Sequence, residues 1–236
     1  MTAPTAPAPA LPSASVLLLR DGRAGLEVFM VERHHAMDFA SRATVFPGGK
    51  VDEGDWSVRA RASARGARDL AAYEAALRIA ALRETFEECG VLLARPAGRS
   101  ELVSAPRLQG IAERYREHLR SGAGAIDELL AGEDLELACD LLVPFSRWIT
   151  PKDSPKRFDT FFYLAAAPAD QAALHDGYES VDSLWTTVAD AADDAAAGRR
   201  KIILPTLANL RLLGESASVA EALVAASRRR VEPILL

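Results

Sequence analysis

The stretch that decides the fold is RETFEECGV, residues 83–91. It closes the segment 69–89, which is rich in alanine and free of glycine and proline, so the composition predicts one long helix that ends at Gly90. Positions i, i+3 and i+4 of a helix lie on one face. The acids that share this face are Glu84, Glu87 and Glu88. Crowded carboxylates of this kind attract a hard divalent cation, which binds oxygen ligands and phosphate groups.

A solvated helix surface is the alternative interpretation of this stretch. Runs of arginine and glutamate are common on exposed helices, where Arg83 and Glu87 would form an ion pair four residues apart. The upstream segment FPGGKVDEGD, residues 46–55, favours a functional site instead. A short strand predicted at 44–46 runs there into two glycines, which permit a tight loop. A glycine loop beside an acidic helix indicates a metal site that binds phosphates.

The two segments together resemble the signature of the Nudix hydrolase family. The matching residues are Gly49, Asp55, Arg83, Glu84, Glu87, Glu88, Gly90 and Val91. The resemblance implies a Mg²⁺ or Mn²⁺ site whose ligands are Glu84, Glu87, Glu88 and the backbone of Gly49. It also implies that Arg83 orients a neighbouring glutamate.

Two features depart from the family pattern. Asp55 stands where the family usually has glutamate, and about twenty extra residues separate it from Arg83. An insertion there is compatible with an intact site, because its ends can stay close while the extra chain loops outward at a modest entropic cost.

A split signature is similar to that of the coenzyme A diphosphatases of animal peroxisomes and their bacterial relatives. Further similar segments are 45–49, 148–151, 157–162 and 204–206. The resemblance implies hydrolysis of coenzyme A or an acyl-CoA to a phosphopantetheine product and 3′,5′-ADP. The enzymatic alternatives are ADP-ribose, NADH or a nucleotide sugar as substrate. An alternative of another class is a non-catalytic regulatory module that binds a nucleotide.

The predicted fold class is α/β, the Nudix fold, with a mixed sheet between helices and helical insertions. Residues 1–13 are predicted to be a flexible Pro/Ala-rich tail, and 14–236 a single domain with insertions near 56–70 and 100–135. Hairpins are predicted around the polar turns 20–25 and 150–155. Helices are predicted at 188–197 and 206–230.

Hydrolysis requires a base, for which Glu84 and the loop acid Glu179 are both candidates. Basic residues beside the expected rim of the site are candidates for binding the substrate's outer phosphates. These candidate substrate-binding residues are Arg33, Lys156 and Arg157, together with Gly48 of the glycine loop. Trp148 and Phe162 could stack on a base, but aromatic residues on apolar strands are more often part of the core.

Composition and charge limit the classes of partner that the protein is expected to bind. A formal net charge of -5 excludes the basic surface that non-specific nucleic-acid binding needs. The two cysteines form no Cys-x-x-Cys pattern, and neither a secretory signal nor a transmembrane run is present in the sequence, so we expect a cytoplasmic protein. A homodimer is a possible assembly, since the apolar helices after residue 105 could pack internally or across an interface.

Overall fold

The computed structural model describes residues 8–35 and 41–236. The strands are β1 (Leu11–Gly22), β2 (Gly25–Arg33), β3 (Thr44–Val45), β4 (Gly48–Lys50), β5 (Ala64–Arg65), β6 (Ala94–Pro96), β7 (Leu135–Ala138), β8 (Val143–Ile149), β9 (Phe158–Ala166), β10 (Ser180–Thr187) and β11 (Pro233–Leu235). The α-helices are α1 (Val58–Ala62), α2 (Ala72–Cys89), α3 (Ala105–Arg120), α4 (Ile126–Glu133), α5 (Val188–Ala196), α6 (Leu204–Leu213) and α7 (Val219–Ser227).

In the described residues, the main sheet has the strand order β10-β2-β1-β9-β8-β11, with β3 beside β2 and β4 beside β1. Strands β1 and β9 run parallel, as do β8 and β11, while the β1–β2 and β8–β9 pairs are antiparallel. The two predicted hairpins are therefore confirmed. The first turn is tighter than expected, because pairing continues to Gly22 and Gly25 and leaves a loop of only two residues.

The main sheet has an apolar layer on each face, and successive side chains of β1 alternate between the two layers. Val16 and Leu18 face the core beneath α2, whereas Leu17 and Leu19 face the core beneath α6 and α7. Successive side chains of a strand point to opposite faces, so one strand serves both layers. The predicted α/β architecture, a mixed sheet between helices, is confirmed.

Helix α2 is buried along most of its length between the sheet and the insertions. Its alanines let these layers approach closely, and Leu77, Ile79 and Leu82 fill the core. Gly90 ends the helix in the left-handed conformation at φ 71°, and its N–H donates to the carbonyl of Phe86. The helix thus carries its acidic last turns to the end of the sheet.

The two segments predicted to be insertions contact each other. Strand β5, inserted between Asp55 and Arg83, pairs with β7, which pairs in turn with β6. Arg65 and Arg68 both form ion pairs with Glu136 of β7. The segment predicted near 100–135 contains the helices α3 and α4, and β7 follows it as a strand of a small second sheet.

Three further differences between the sequence prediction and the structure concern the ends of the chain. Strand β1 begins at Leu11, so residues 11–13 belong to the sheet and not to the predicted tail, while residues 1–7 lie outside the described residues. The helix predicted over 206–230 is two helices, α6 and α7. Strand β11 was not predicted. Within 8–35 and 41–236, no helix is both long and apolar enough to cross a membrane.

Candidate active site

Arg83 is the centre of a buried ion network at the end of α2. Its Nε and Nη2 atoms each donate to one carboxylate oxygen of Asp55 at 2.9 Å. Its Nη1 donates to Glu84 at 3.1 Å and to Glu87 at 3.0 Å. Nη2 also donates to the carbonyl of Lys50 at 2.9 Å. One guanidinium therefore joins the carbonyl of Lys50 beside the glycine loop, the Asp55 carboxylate that precedes the predicted insertion, and the carboxylate helix.

The glycine loop lies directly against the acids. The N–H of Gly48 donates to Glu88 Oε2 at 2.8 Å, and Gly48 has a φ of 153°, which favours glycine. A Cβ atom at Gly49 would lie only 2.3 Å from Glu84 Oε1, so a side chain there would displace the carboxylate. The two glycines thus permit a contact between backbone and carboxylates that other residues would prevent.

Burial raises the pKa values of these carboxyl groups. Burial raises the pKa of Glu84 to about 8, although Arg83 opposes the shift. Burial and the neighbouring Glu84 raise the pKa of Glu88 well above its usual range. Burial also raises the pKa values of Asp55 and Glu87, again against the effect of Arg83. The cluster therefore holds more acid than its own arginine can neutralise.

A divalent cation fits this donor set by its chemistry. Glu84, Glu87 and Glu88 supply the carboxylate oxygens that Mg²⁺ and Mn²⁺ accept, and the excess of buried acid would be relieved by positive charge. Among the described residues, no three His, Cys, Asp or Glu side chains converge into a ready-made metal centre. Arg83 accounts for part of this arrangement, because it holds Glu84 and Glu87 by hydrogen bonds. Binding a cation would require the three acids to draw together.

A cavity of about 540 Å³ runs from these acids onto the face of the sheet. Its acidic end includes Glu84 and Glu87, and its sheet end includes Trp148 and Thr160. Strand register aligns the sheet end, because Lys50 lies beside Ser13, Ser13 beside Thr160, and Thr160 beside Trp148. The hydroxyl groups of Ser13 and Thr160 are 2.7 Å apart.

Glu179 reaches the same cavity from a different part of the chain. It lies in the turn that enters β10, and its backbone carbonyl accepts a hydrogen bond from the N–H of His34 at 2.7 Å. Its charge contributes to raising the pKa of Glu88, whereas the charge of Arg33 lowers it. Arg33 also lines the cavity. The structure therefore brings Glu179 and Arg33 to the carboxylate cluster.

A sequence model of the NUDT19 Nudix domain matches residues 62–212, more than half of the chain. The chain belongs to the Nudix family. The match contains the stretch 83–91 but begins after Gly49 and Asp55, so these two residues rest on the structural contacts described above.

Relatives and a solved structure agree with this assignment. The acyl-coenzyme A diphosphatase NUDT19 of Xenopus laevis is 27% identical over 214 aligned residues, covering 71% of this chain and 54% of the relative. The human protein of the same name is 28% identical over 158 residues, covering 63% and 41%. This Nudix chain spans about half the length of the curated relatives it matches. The crystal structure of a NUDIX hydrolase from Alicyclobacillus acidocaldarius superposes with a TM-score of 0.81 at 28% identity, covering 94% of this chain and 99% of that one. The Nudix fold is thus confirmed.

The substrate-binding candidates of this Nudix chain fall into two groups. Gly48, Arg33 and Lys156 line the cavity. Arg157 is not among the lining residues, because its guanidinium donates to the backbone carbonyls of Thr150, Pro151 and Ala8. The prediction placed Arg157 at the substrate, but the structure gives it a role in fixing the loop between β8 and β9.

Several residues of the site were not predicted from sequence. Trp148 and Phe162, expected in the core, both line the cavity as well as packing on the sheet. Ser13 lies outside every motif quoted from the sequence, and although Thr160 lies in the similar segment 157–162, only strand register could have brought the two side chains together. Arg120 of α3 also lines the cavity, although it lies in a segment predicted to be an insertion.

Proposed function

We propose that this Nudix protein is a metal-dependent hydrolase that cleaves the diphosphate linkage of coenzyme A or an acyl-CoA, giving a phosphopantetheine product and 3′,5′-ADP. The observation that carries the proposal is the cavity itself. Its acidic end suits a cation and a diphosphate, and its sheet end has room and basic and aromatic groups for the rest of a nucleotide derivative. The acyl-coenzyme A diphosphatase name of the similar proteins favours this substrate.

The residues that would hold Mg²⁺ or Mn²⁺ are Glu84, Glu87 and Glu88, with the backbone of Gly49 as a further donor. A bound cation supplies charge neutralisation at the diphosphate and a more acidic water molecule. Arg83 holds Glu84 and Glu87 in place through hydrogen bonds. Arg33 and Lys156 would bind outer phosphate oxygens, and the N–H of Gly48 already fixes Glu88.

We assign the proton-accepting role to Glu179. When water attacks phosphorus, the bridging P–O bond breaks and one proton of the water must pass to a base. Glu179 comes from a separate turn, lines the cavity and is not hydrogen-bonded to Arg83, whereas Glu84 is held by that guanidinium. Glu84 is the alternative base. A carboxylate that does not also bind the cation is better able to accept the proton.

Product analysis tests the proposal. The protein is incubated with Mg²⁺ or Mn²⁺ and with CoA, acetyl-CoA, ADP-ribose, NADH or a nucleotide sugar, and products are identified by mass. We expect 3′,5′-ADP from CoA, no turnover with EDTA, and a loss of about a thousandfold in kcat for Glu88→Gln. Glu74→Gln is the matched control, because Glu74 is an exposed acid in the first turn of the same helix.

Other outcomes have distinct meanings. Faster hydrolysis of ADP-ribose, NADH or a nucleotide sugar would retain the diphosphatase and replace the substrate. Metal-dependent binding of a nucleotide without turnover would instead favour the regulatory module. A cytoplasmic location and a homodimer stay predictions, which fractionation and light scattering would test.

A further inference from the structure

Helix α3 belongs to the second insertion, yet its last turns contact both parts of the active site. Arg116 and Arg120 are four residues apart and therefore lie on the same face of this helix. Arg116 contacts the end of α2, and Arg120 contacts the turn that carries Glu179. The proposed chemistry uses neither arginine.

Arg116 joins two backbone segments, the last turn of the carboxylate helix and the chain at Leu174. Its Nε donates to the carbonyl of Glu87 at 2.9 Å, and its Nη2 donates to the carbonyl of Leu174 at 3.4 Å. The N–H of Leu174 donates to the carbonyl of Cys89 at 3.0 Å. Gly90 lies directly beneath the guanidinium, where a Cβ would be 3.2 Å from Nη1. The chain leading to Glu179 is thus attached to the last turn of α2.

The guanidinium of Arg120 packs on Tyr178, in the turn that carries Glu179. Its guanidinium carbon lies 3.8 Å from the centre of the Tyr178 ring, within the range of a cation–π interaction. The turn itself is compact, because the Asp176 carboxylate accepts hydrogen bonds from the N–H groups of residues 178, 179 and 180. A contact on Tyr178 therefore constrains the whole turn, including Glu179.

We infer that α3 is a positioning element, in which Arg116 and Arg120 hold the turn 176–180 against the end of α2 and thereby keep Glu179 beside the carboxylate cluster. The inference rests on the proposed function, in which Glu179 accepts the proton. A misplacement of about 1 Å in a reacting group costs up to about a hundredfold in rate. An insertion outside the catalytic residues would in this way set the rate of the reaction.

The test compares kcat and KM for the hydrolysed substrate in Arg120→Ala, Tyr178→Ala and Tyr178→Phe. We expect the two alanine variants to lose about tenfold in kcat with KM changed less than twofold, and phenylalanine to restore the rate because it keeps the ring. In a Glu179→Gln background, Tyr178→Ala should cause no further loss, since the residue that it positions is already inactive. Arg114→Ala, an exposed ion-paired arginine of the same helix, is the matched control.

Two kinetic results would overturn the inference. A rise in KM at constant kcat for Arg120→Ala would mean that Arg120, which lines the cavity, binds the substrate directly. Fully additive losses in the Glu179→Gln background would mean that Tyr178 acts independently of Glu179.

Hydrogen exchange keeps the inference testable if the proposed function fails and no compound is hydrolysed. The amides of residues 178–180 should exchange about tenfold faster in Tyr178→Ala than in Tyr178→Phe, because loss of the stacking contact would release the turn. Unchanged exchange would show that α3 does not hold the turn, whatever the protein hydrolyses.

Discussion

The two ends of the cavity are built in different ways. At the acidic end, Arg83 and Asp55 are almost fully buried and joined by paired hydrogen bonds, and neighbouring acids crowd around them. At the sheet end, Trp148 and Thr160 face each other across the β8–β9 hairpin, and Ser13 joins them from β1, which is distant in sequence and adjacent only through strand pairing. Most residues proposed for the chemistry thus lie within 49–88, with Glu179 joining them from another part of the chain, whereas the surface that would select the substrate depends on how distant strands pair.

This difference predicts different responses to mutation. The acidic end is an interdependent network, in which removing one group leaves another buried charge without a partner. The sheet end consists of contacts that can be changed singly. Substitutions at the acidic end should therefore affect stability and rate together, and substitutions at the sheet end should affect substrate binding.

The largest effect is expected for Asp55→Asn. The change keeps the size of the side chain but leaves Arg83 without the buried carboxylate that both its Nε and its Nη2 contact. We expect a loss of about 3 kcal/mol in the free energy of unfolding, together with a lower kcat, because Arg83 also holds Glu84 and Glu87. Urea unfolding measures the first effect and steady-state kinetics the second.

Asp52→Asn is the matched control for this substitution. Asp52 also approaches Arg83, at 3.6 Å, but its side chain is 60% exposed, so water can solvate the separated charges. Its loss should change stability by less than about 0.5 kcal/mol. Equal effects of the two substitutions would contradict the view that burial makes the Asp55 pair important.

The acidic end could be predicted from sequence because its residues are close along the chain. Helical spacing alone places Glu84, Glu87 and Glu88 on one face, and Gly49 and Asp55 carry a recognisable pattern. The bidentate contact between Asp55 and Arg83 was not foreseen in detail, because it spans an insertion. At the sheet end, Trp148 and Thr160 lie in the similar segments 148–151 and 157–162, but Ser13 had no such signal. Nothing in the sequence distinguished Lys156 from Arg157, whose surroundings differ in the structure.

The strands and helices likewise divide into those that have a local sequence signal and those that do not. Alternating apolar residues and polar turns predicted the β1–β2 and β8–β9 hairpins. Strands β5 and β11 are too short to show a period, and each exists only because a partner strand is present. The break between α6 and α7 did have a sequence signal, because a serine followed three residues later by a glutamate is typical of a helix start. The hydroxyl of Ser218 accepts a hydrogen bond from the N–H of Glu221, and the Glu221 carboxylate accepts one from the N–H of Ala217.

A smaller effect is expected from pH at the acidic end of the metal-free protein. Because the pKa of Glu84 is raised to about 8 by burial, the folded state binds more protons than the unfolded state above the usual glutamate range. The free energy of unfolding in EDTA should therefore fall, by about 2 kcal/mol, as pH rises from about 5 to about 8.

Chemical unfolding of the wild type and Glu84→Gln at both pH values measures this effect. The glutamine variant should show a shallower slope, since it removes one of the carboxyl groups whose pKa burial raises. Mg²⁺ should stabilise the wild type more at the higher pH, because the cation binds deprotonated carboxylates. A stability that rises with pH in EDTA would contradict the burial of uncompensated acid at this end of the cavity.

The smallest effect is expected at the sheet end, where Lys156 and Arg157 are adjacent but contact different parts of the molecule. Lys156 lines the cavity, so Lys156→Ala should raise KM about fivefold with little change in kcat. Lys152→Ala, on the same loop but not among the lining residues, should leave KM unchanged. Arg157→Ala should instead lower stability, because the guanidinium donates to three backbone carbonyls that fix the loop. The contrary outcome is that Arg157→Ala raises KM as much as Lys156→Ala and does not destabilise the protein. The loop between β8 and β9 would then have to rearrange when substrate binds, and the sheet end would be less preformed than strand register indicates.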